Sequence, residues 1–144
     1  MSALRDAIVA HLKADADVLA AATGGIWPGL PPKDRPTYPF VTVTAQRGDT
    51  PERVFRGGNA VADEIAFEKA VLLVKAIDQS TSPKVASDLS ALIRTALDGA
   101  DVSITDYTLL TVQWQADLPG YSELDAGAHY QHEGALFEIW ASKT

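Results

Sequence analysis

The sequence has no cysteine, which excludes disulfides and thiolate metal sites and fits a reducing compartment. It also lacks an excess of basic charge. Twelve Lys and Arg stand against 19 Asp and Glu, for a formal net charge of -7 and a pI of about 4.8. A general nucleic-acid binder or an anionic-membrane binder needs a basic surface, so both classes are disfavoured. No apolar run is long enough to span a bilayer. The opening residues, Met1-Ser2-Ala3-Leu4-Arg5-Asp6, lack a basic region followed by an apolar core, so no signal peptide is expected. Repeats, low-complexity segments and domain-splitting linkers are also missing.

What is present suits one domain of 144 residues, with 47% hydrophobic residues and a mean hydropathy of -0.01. Its centre is Val71 to Gly99. Val71 to Ile77 reads as a buried strand, followed by a polar break and a helix. Ser82 is placed to cap that helix and Pro83 to start it. Val85, Leu89, Leu92, Ile93 and Leu97 form its apolar face, and Gly99 can end it in the left-handed conformation.

The other elements follow from periodicity. Ser2 to Ala22 reads as one helix with Leu4, Ile8, Leu12 and Leu19 on its stripe. His11 reads as a helix-edge histidine without a special role. Ile26 to Tyr38 is a proline-rich connector in which Trp27 packs back on the core. Phe40 to Ala45 is a strand, with Val41 and Val43 opposite Thr42 and Thr44. Asp63 to Ile77 reads as one long strand or two pieces. Tyr107 to Asp117 and His129 to Ala141 are further strands, joined by a turn-rich loop from Leu118 to Gly127. The expected fold is α+β: two helices packed on a mostly antiparallel sheet of about four strands.

Gln46 to Ala62 is the long irregular part and the most basic. A loop or hairpin arm around residues 46–66 fits a partner-docking role; an ordinary solvated loop fits the same residues.

Chemistry is scarce. His129-Tyr130-Gln131-His132-Glu133 invites a metal or acid/base reading, but residues three apart in a strand face opposite ways. Half-exposed strand histidines account for the motif better. No serine sits in a glycine-flanked nucleophile elbow, and neither glycine pair has the phosphate-loop spacing. Asp117, Glu123 and Asp125 lack the regular spacing of a calcium loop. No cofactor, metal or catalytic residue is expected. A small metal-dependent hydrolase using His129, His132 and Glu133 is the alternative from a different class.

The order of elements resembles the small tail-completion proteins of long-tailed bacteriophages and prophages, also called tail-terminator or tail-to-head joining proteins. The resemblance is carried by Leu4 to Leu12, Leu30-Pro31, Tyr38-Pro39-Phe40-Val41, Val71 to Ile77, Ser87 to Gly99 and Tyr130 to Trp140. Thr50 to Asp63 matches no motif. The resemblance implies a structural, non-enzymatic ring subunit, usually hexameric, that caps the tail tube, ends its elongation and receives the head. It implies contacts with the tube protein and a head-completion or neck protein, with DNA passing through unbound. It also implies assembly in the host cytoplasm and residence at the head-proximal end of the tail. A head-completion or neck protein of the same assembly shares this size and design.

Under that reading the candidate interface residues are Arg47, Arg53, Phe55 and Arg56 in the arm, and Leu118, Tyr121 and Leu124 in the turn-rich loop. Asp117, Glu123 and Asp125 are expected to line the channel, with Asp63 and Glu64 next, because a wall of the same sign as phosphate does not hold DNA.

Overall fold

The computed structural model describes residues 2–32, 34, 36–45, 50–53 and 65–143. Among these the chain forms three helices and six strands. They are α1 (Ser2–Ala14), α2 (Ala16–Ala21), β1 (Ile26–Trp27), β2 (Phe40–Ala45), β3 (Thr50–Arg53), β4 (Ile65–Gln79), α3 (Lys84–Leu97), β5 (Tyr107–Asp125) and β6 (Ala128–Lys143). The α+β class holds, but the helix and strand numbers exceed the two and four read from periodicity.

The additional helix arises at Asp15. Its carboxylate accepts hydrogen bonds from the Asp17 and Val18 amides, each 3.1 Å, so it caps a new helix instead of continuing the first. The restart changes the phase of the stripe. Val18 takes the buried position after Leu4, Ile8 and Leu12, and Leu19, expected there, is exposed.

The helix α3 is capped much as its sequence suggests. The Ser82 hydroxyl accepts from the Lys84 amide at 3.3 Å, and Pro83 has helical φ and ψ of -76° and -1°. At its C-terminal end Gly99 takes a φ of 73°, and its amide donates to the Val112 carbonyl at 2.9 Å. The Asp98 carboxylate accepts from the Trp114 amide at 2.9 Å, so the helix end is tied to β5. Ala86, Leu89, Ile93 and Leu97 are its buried residues. Val85, placed on that face by spacing, is exposed, because Ala86 meets the sheet in its stead. His11 is more than an edge residue: its Nε2 donates to the Ala96 carbonyl at 3.0 Å and ties α1 to α3.

The sheet order is β1-β2-β4-β6-β5, with β3 also paired to β4. Only the short β1–β2 pair is parallel; every other pair is antiparallel. The long β4 is continuous from Ile65 to Gln79 and is flanked end to end by two partners on one side. Phe40 to Ala45 pairs Ile77 to Leu72, and Thr50 to Arg53 pairs Lys69 to Ile65. The expected irregular stretch therefore contains a strand, β3, while residues 46–49 and 54–64 lie outside the described residues.

The expected turn-rich loop from Leu118 is also a strand. β5 runs through Pro119 and Gly120 to Asp125, and a two-residue turn, Ala126-Gly127, leads into β6. Its register shifts between Leu118 and Tyr121, which pair with Gly134 and His132. Such a bulge on an edge strand absorbs extra residues, and a proline there need not break a ladder bond.

One face of the sheet carries the core. Val41 and Val43, Leu72 and Val74, Val112, and Phe137 and Ile139 pack there against the helices. No helix among the described residues is long and apolar enough to cross a membrane. Replacing the buried Leu89 with Ala should lower unfolding stability by about 2–5 kcal/mol. Leu92, only partly buried at the core's edge, should cost less. Urea unfolding of both variants checks the order, and an unchanged midpoint for Leu89→Ala would refute the packing.

Candidate assembly surface

Side chains alternate along each strand, so β4 and β6 present a second row away from the helices. Leu73, Lys75 and Ile77 of β4 pair with Leu136, Gly134 and His132 of β6. Thr42 and Thr44 of β2 lie beside Lys75 and Leu73 on the same face. Leu30, on the proline-rich connector, reaches this face and is 85% exposed. Leu30, Thr42, Thr44, Leu73, Ile77 and His132 enclose a groove of about 260 Å³, with Lys75 in its wall.

The end of this groove is built from two strands. Tyr121 of β5 pairs with His132 of β6, and their rings stack at 4.3 Å and 8°. Lys75 Nζ donates to the Tyr121 hydroxyl at 3.1 Å and lies 5.4 Å from its ring centre. The Glu123 carboxylate stands 3.7 Å from His132 Nε2, too far for a hydrogen bond. His132 is only 9% exposed, and neither ring nitrogen has a hydrogen-bond partner among the described residues. This corrects the expectation of a half-exposed strand histidine.

Burial lowers the His132 pKa below 6.5, and the Lys75 charge lowers it further, against an opposing pull from Glu123. A depressed histidine pKa means that the unfolded chain binds more protons than the folded one. The stabilisation is thus complete above pH 6.5 and is lost as pH falls through the folded value. Stability should decline on acidification below that point, and the decline should be shallower in His132→Gln. Melting temperatures of both proteins from pH 7.5 to pH 5 check this; parallel curves would show that His132 does not contribute.

The other candidate residues divide as follows. His129 is exposed and Glu133 half-buried, and both alternate onto the face opposite His132. The described residues hold no group of three His, Asp or Glu side chains placed to share an ion. Tyr121 and Leu124 are 50% and 65% exposed, and Leu118 is half-buried. Arg53 lies in β3, whereas Arg47, Phe55, Arg56, Asp63 and Glu64 fall outside the described residues. Asp117, Glu123 and Asp125 all lie on β5, not on a loop. They do not form one patch. Asp117 pairs with Ala135 of the helix-covered face and accepts from Trp114 Nε1 at 2.9 Å. Glu123 and Asp125 alternate onto the face turned away from the helices.

Sequence reasoning missed Lys75, whose charge inside an apolar strand marks the face turned away from the helices. It also missed Arg94, which stacks 4.0 Å over the Trp114 ring beside a polar groove of about 340 Å³ between α3 and the β5–β6 pair.

The architecture is shared with a solved structure titled "Virion of native gene transfer agent (GTA) particle". A chain of that particle is 17% identical, with a TM-score of 0.70, covering 98% of this chain and 96% of its own length. No curated protein matches the sequence. The family described as tail completion protein gp17 matches residues 6–129. A match over that span includes most of α1, the whole of α2, α3 and β1 to β5, and only the first residues of β6, and it makes this chain a member of the gp17 tail-completion family, a structural component of phage-type virions.

Proposed function

We propose that the chain forms a ring that caps the phage tail tube, ends its elongation and presents the surface that joins the head. The observation that carries this reading is the tail-completion family match over residues 6–129. Exposed apolar side chains at Leu30, Tyr121 and Leu124 support an assembling subunit. The ring is proposed as a hexamer, built in the host cytoplasm and retained at the head-proximal end of the tail. Its partners are further copies of itself, the tube protein and a neck or head-completion protein. Arg47, Arg53, Phe55 and Arg56, with Leu118, Tyr121 and Leu124, are proposed as the interface with a neighbouring subunit or another partner. Solution mass and electron microscopy of the purified protein should show rings that bind tail tubes and stop their growth. Reversing Arg53 and Arg56 to Glu should weaken one of these contacts, read as lost rings or as lost tube binding; unchanged rings and tube binding would rule the arm out as an interface. Rings that bind heads but not tubes would overturn the terminator role.

The channel is proposed to be lined by carboxylates, as the 19 acids against 12 bases suggest. Because β5 divides its acids between two faces, Asp117 and the pair Glu123 and Asp125 cannot both face the channel. Asp117→Lys and the pair Glu123→Lys with Asp125→Lys separate the two faces. The variant that keeps its ring and gains salt-sensitive DNA retention identifies the wall. No retention by either would refute the acidic lining.

A further inference from the structure

The far end of β5 is set apart from the rest of its strand. The register shift between Leu118 and Tyr121 divides it from the part that Gly99 and Asp98 tie to α3 at Val112 and Trp114. Every residue from Pro119 to Gly127 is exposed, so this end buries little of its own surface. Segments of that kind open at a lower free energy than the core, and a bulge gives them a place to bend. Besides backbone pairing with β6, side-chain contacts hold this end down. Ser122 Oγ donates to Gln131 Oε1 at 2.6 Å, Lys75 Nζ donates to the Tyr121 hydroxyl at 3.1 Å, and the Tyr121 ring stacks on His132. His132 is the odd member of this set, because both its ring nitrogens are buried without a partner among the described residues. A buried polar group left unsatisfied calls for a physical account.

We propose that the Tyr121–His132 stack is a proton-sensitive latch on the far end of β5, closed while the imidazole is neutral and opened when it gains a proton. A neutral imidazole lies flat under the tyrosine ring as a largely apolar body. An imidazolium has two charged N–H donors to satisfy, and burial denies them water.

The groups around the ring favour opening over a new ion pair. From β4, Lys75 brings a second cation to the site. From β5, Glu123 is the carboxylate at hand, 3.7 Å from Nε2, and its side chain is 55% exposed and already well solvated. Tyr121, and Tyr130 two residues back on the same face of β6, add uncharged phenols. Thr42 from β2 and Leu30 from the connector bring no charge, and Glu133 alternates to the other face. Burial and Lys75 together outweigh Glu123, which is why the His132 pKa lies below 6.5 in the closed form. Turning Tyr121 away lets water reach the ring and returns the pKa towards 6.5, so the open form binds the proton more tightly. By linkage, acid then favours the open form.

Hydrogen exchange of the full chain reads the latch. After correction for intrinsic exchange, the amides from Tyr121 to Asp125 that bond to β6 should lose protection by about tenfold per pH unit below pH 6.5, levelling off at the folded pKa of His132. The Leu72 and Phe137 amides should stay more strongly protected at every pH, since the strand end opens without the core. His132→Phe keeps a stacking ring that does not titrate, and its protection should be the same at pH 7.5 and pH 5.5. Glu123→Gln should deepen the acid loss by removing the opposing carboxylate, and Lys75→Met should lessen it. These opposite shifts decide the matter even where His132→Phe fails to fold. Protection in the native chain that stays constant, or that rises as Glu123 closes on the imidazolium, would overturn the latch. So would the same acid loss in His132→Phe, equal losses in the Glu123 and Lys75 variants, or exchange of the strand end in step with the core.

Discussion

The pairing of β4 with β6 is the interaction on which the rest of the molecule depends. Twelve consecutive positions of β4, Glu68 to Gln79, pair with Ala141 to Tyr130. The pair fixes two rows of side chains at once. Leu72, Val74, Phe137 and Ile139 face the helices, and Leu73, Ile77, His132 and Leu136 face away. A register slip of one residue would exchange the rows, placing Lys75 and His132 under α3 and the core residues outside. The helix-side row is secured by burial and by the bonds from Gly99 and Trp114 at the end of α3. The uncovered row is therefore a consequence of the core, and its groove has little freedom to rearrange.

Much of this was legible before any coordinates. The strand β2 is bounded where the Val/Thr alternation predicts, and α3 carries its cap, its starting proline and its terminal glycine. The illegible parts have identifiable causes. Asp15 is one polar residue in a helical pattern, and its effect depends on its carboxylate turning back to the amides of Asp17 and Val18. Pro119-Gly120 is a strong local breaker signal, but long-range pairing to β6 overrides it through a bulge. β1 is two residues long and exists only because Ile26 and Trp27 lie beside Val41 and Thr42.

The candidate site was less legible, since its chemistry is spread over distant segments. Leu30, Thr42, Lys75, Tyr121 and His132 meet only through sheet order, and no spacing in sequence brings them together. His132 drew notice for the wrong partner. The nearby His129 alternates to the other face, and the groups that define the His132 environment are Tyr121, Lys75 and Glu123. The acids of β5 show the same limit. Their closeness in sequence suggested one patch, and strand alternation divides them.

The outer edge of β5, bonded at Val112 and Trp114 by Gly99 and Asp98, has no strand partner among the described residues, and it bears on how copies of this chain can meet. An exposed edge strand is normally open to pairing with another strand. Here the register shifts at Leu109/Thr111, Trp114/Ala116 and Leu118/Tyr121, and Pro119 offers no amide. These irregularities interrupt the even row of donors and acceptors that strand addition requires. They leave the side chains beyond them, Tyr121 and Leu124, available for contact. Side-chain contact is weaker than a continuous ladder: burying one leucine contributes about 1.5–3 kcal/mol. In the proposed ring, however, each subunit would be held by two joints, and losing one joint would leave the other at high effective concentration. Contacts of this kind would let subunits associate reversibly until such a ring closes, while the blunted edge discourages open-ended strand stacking.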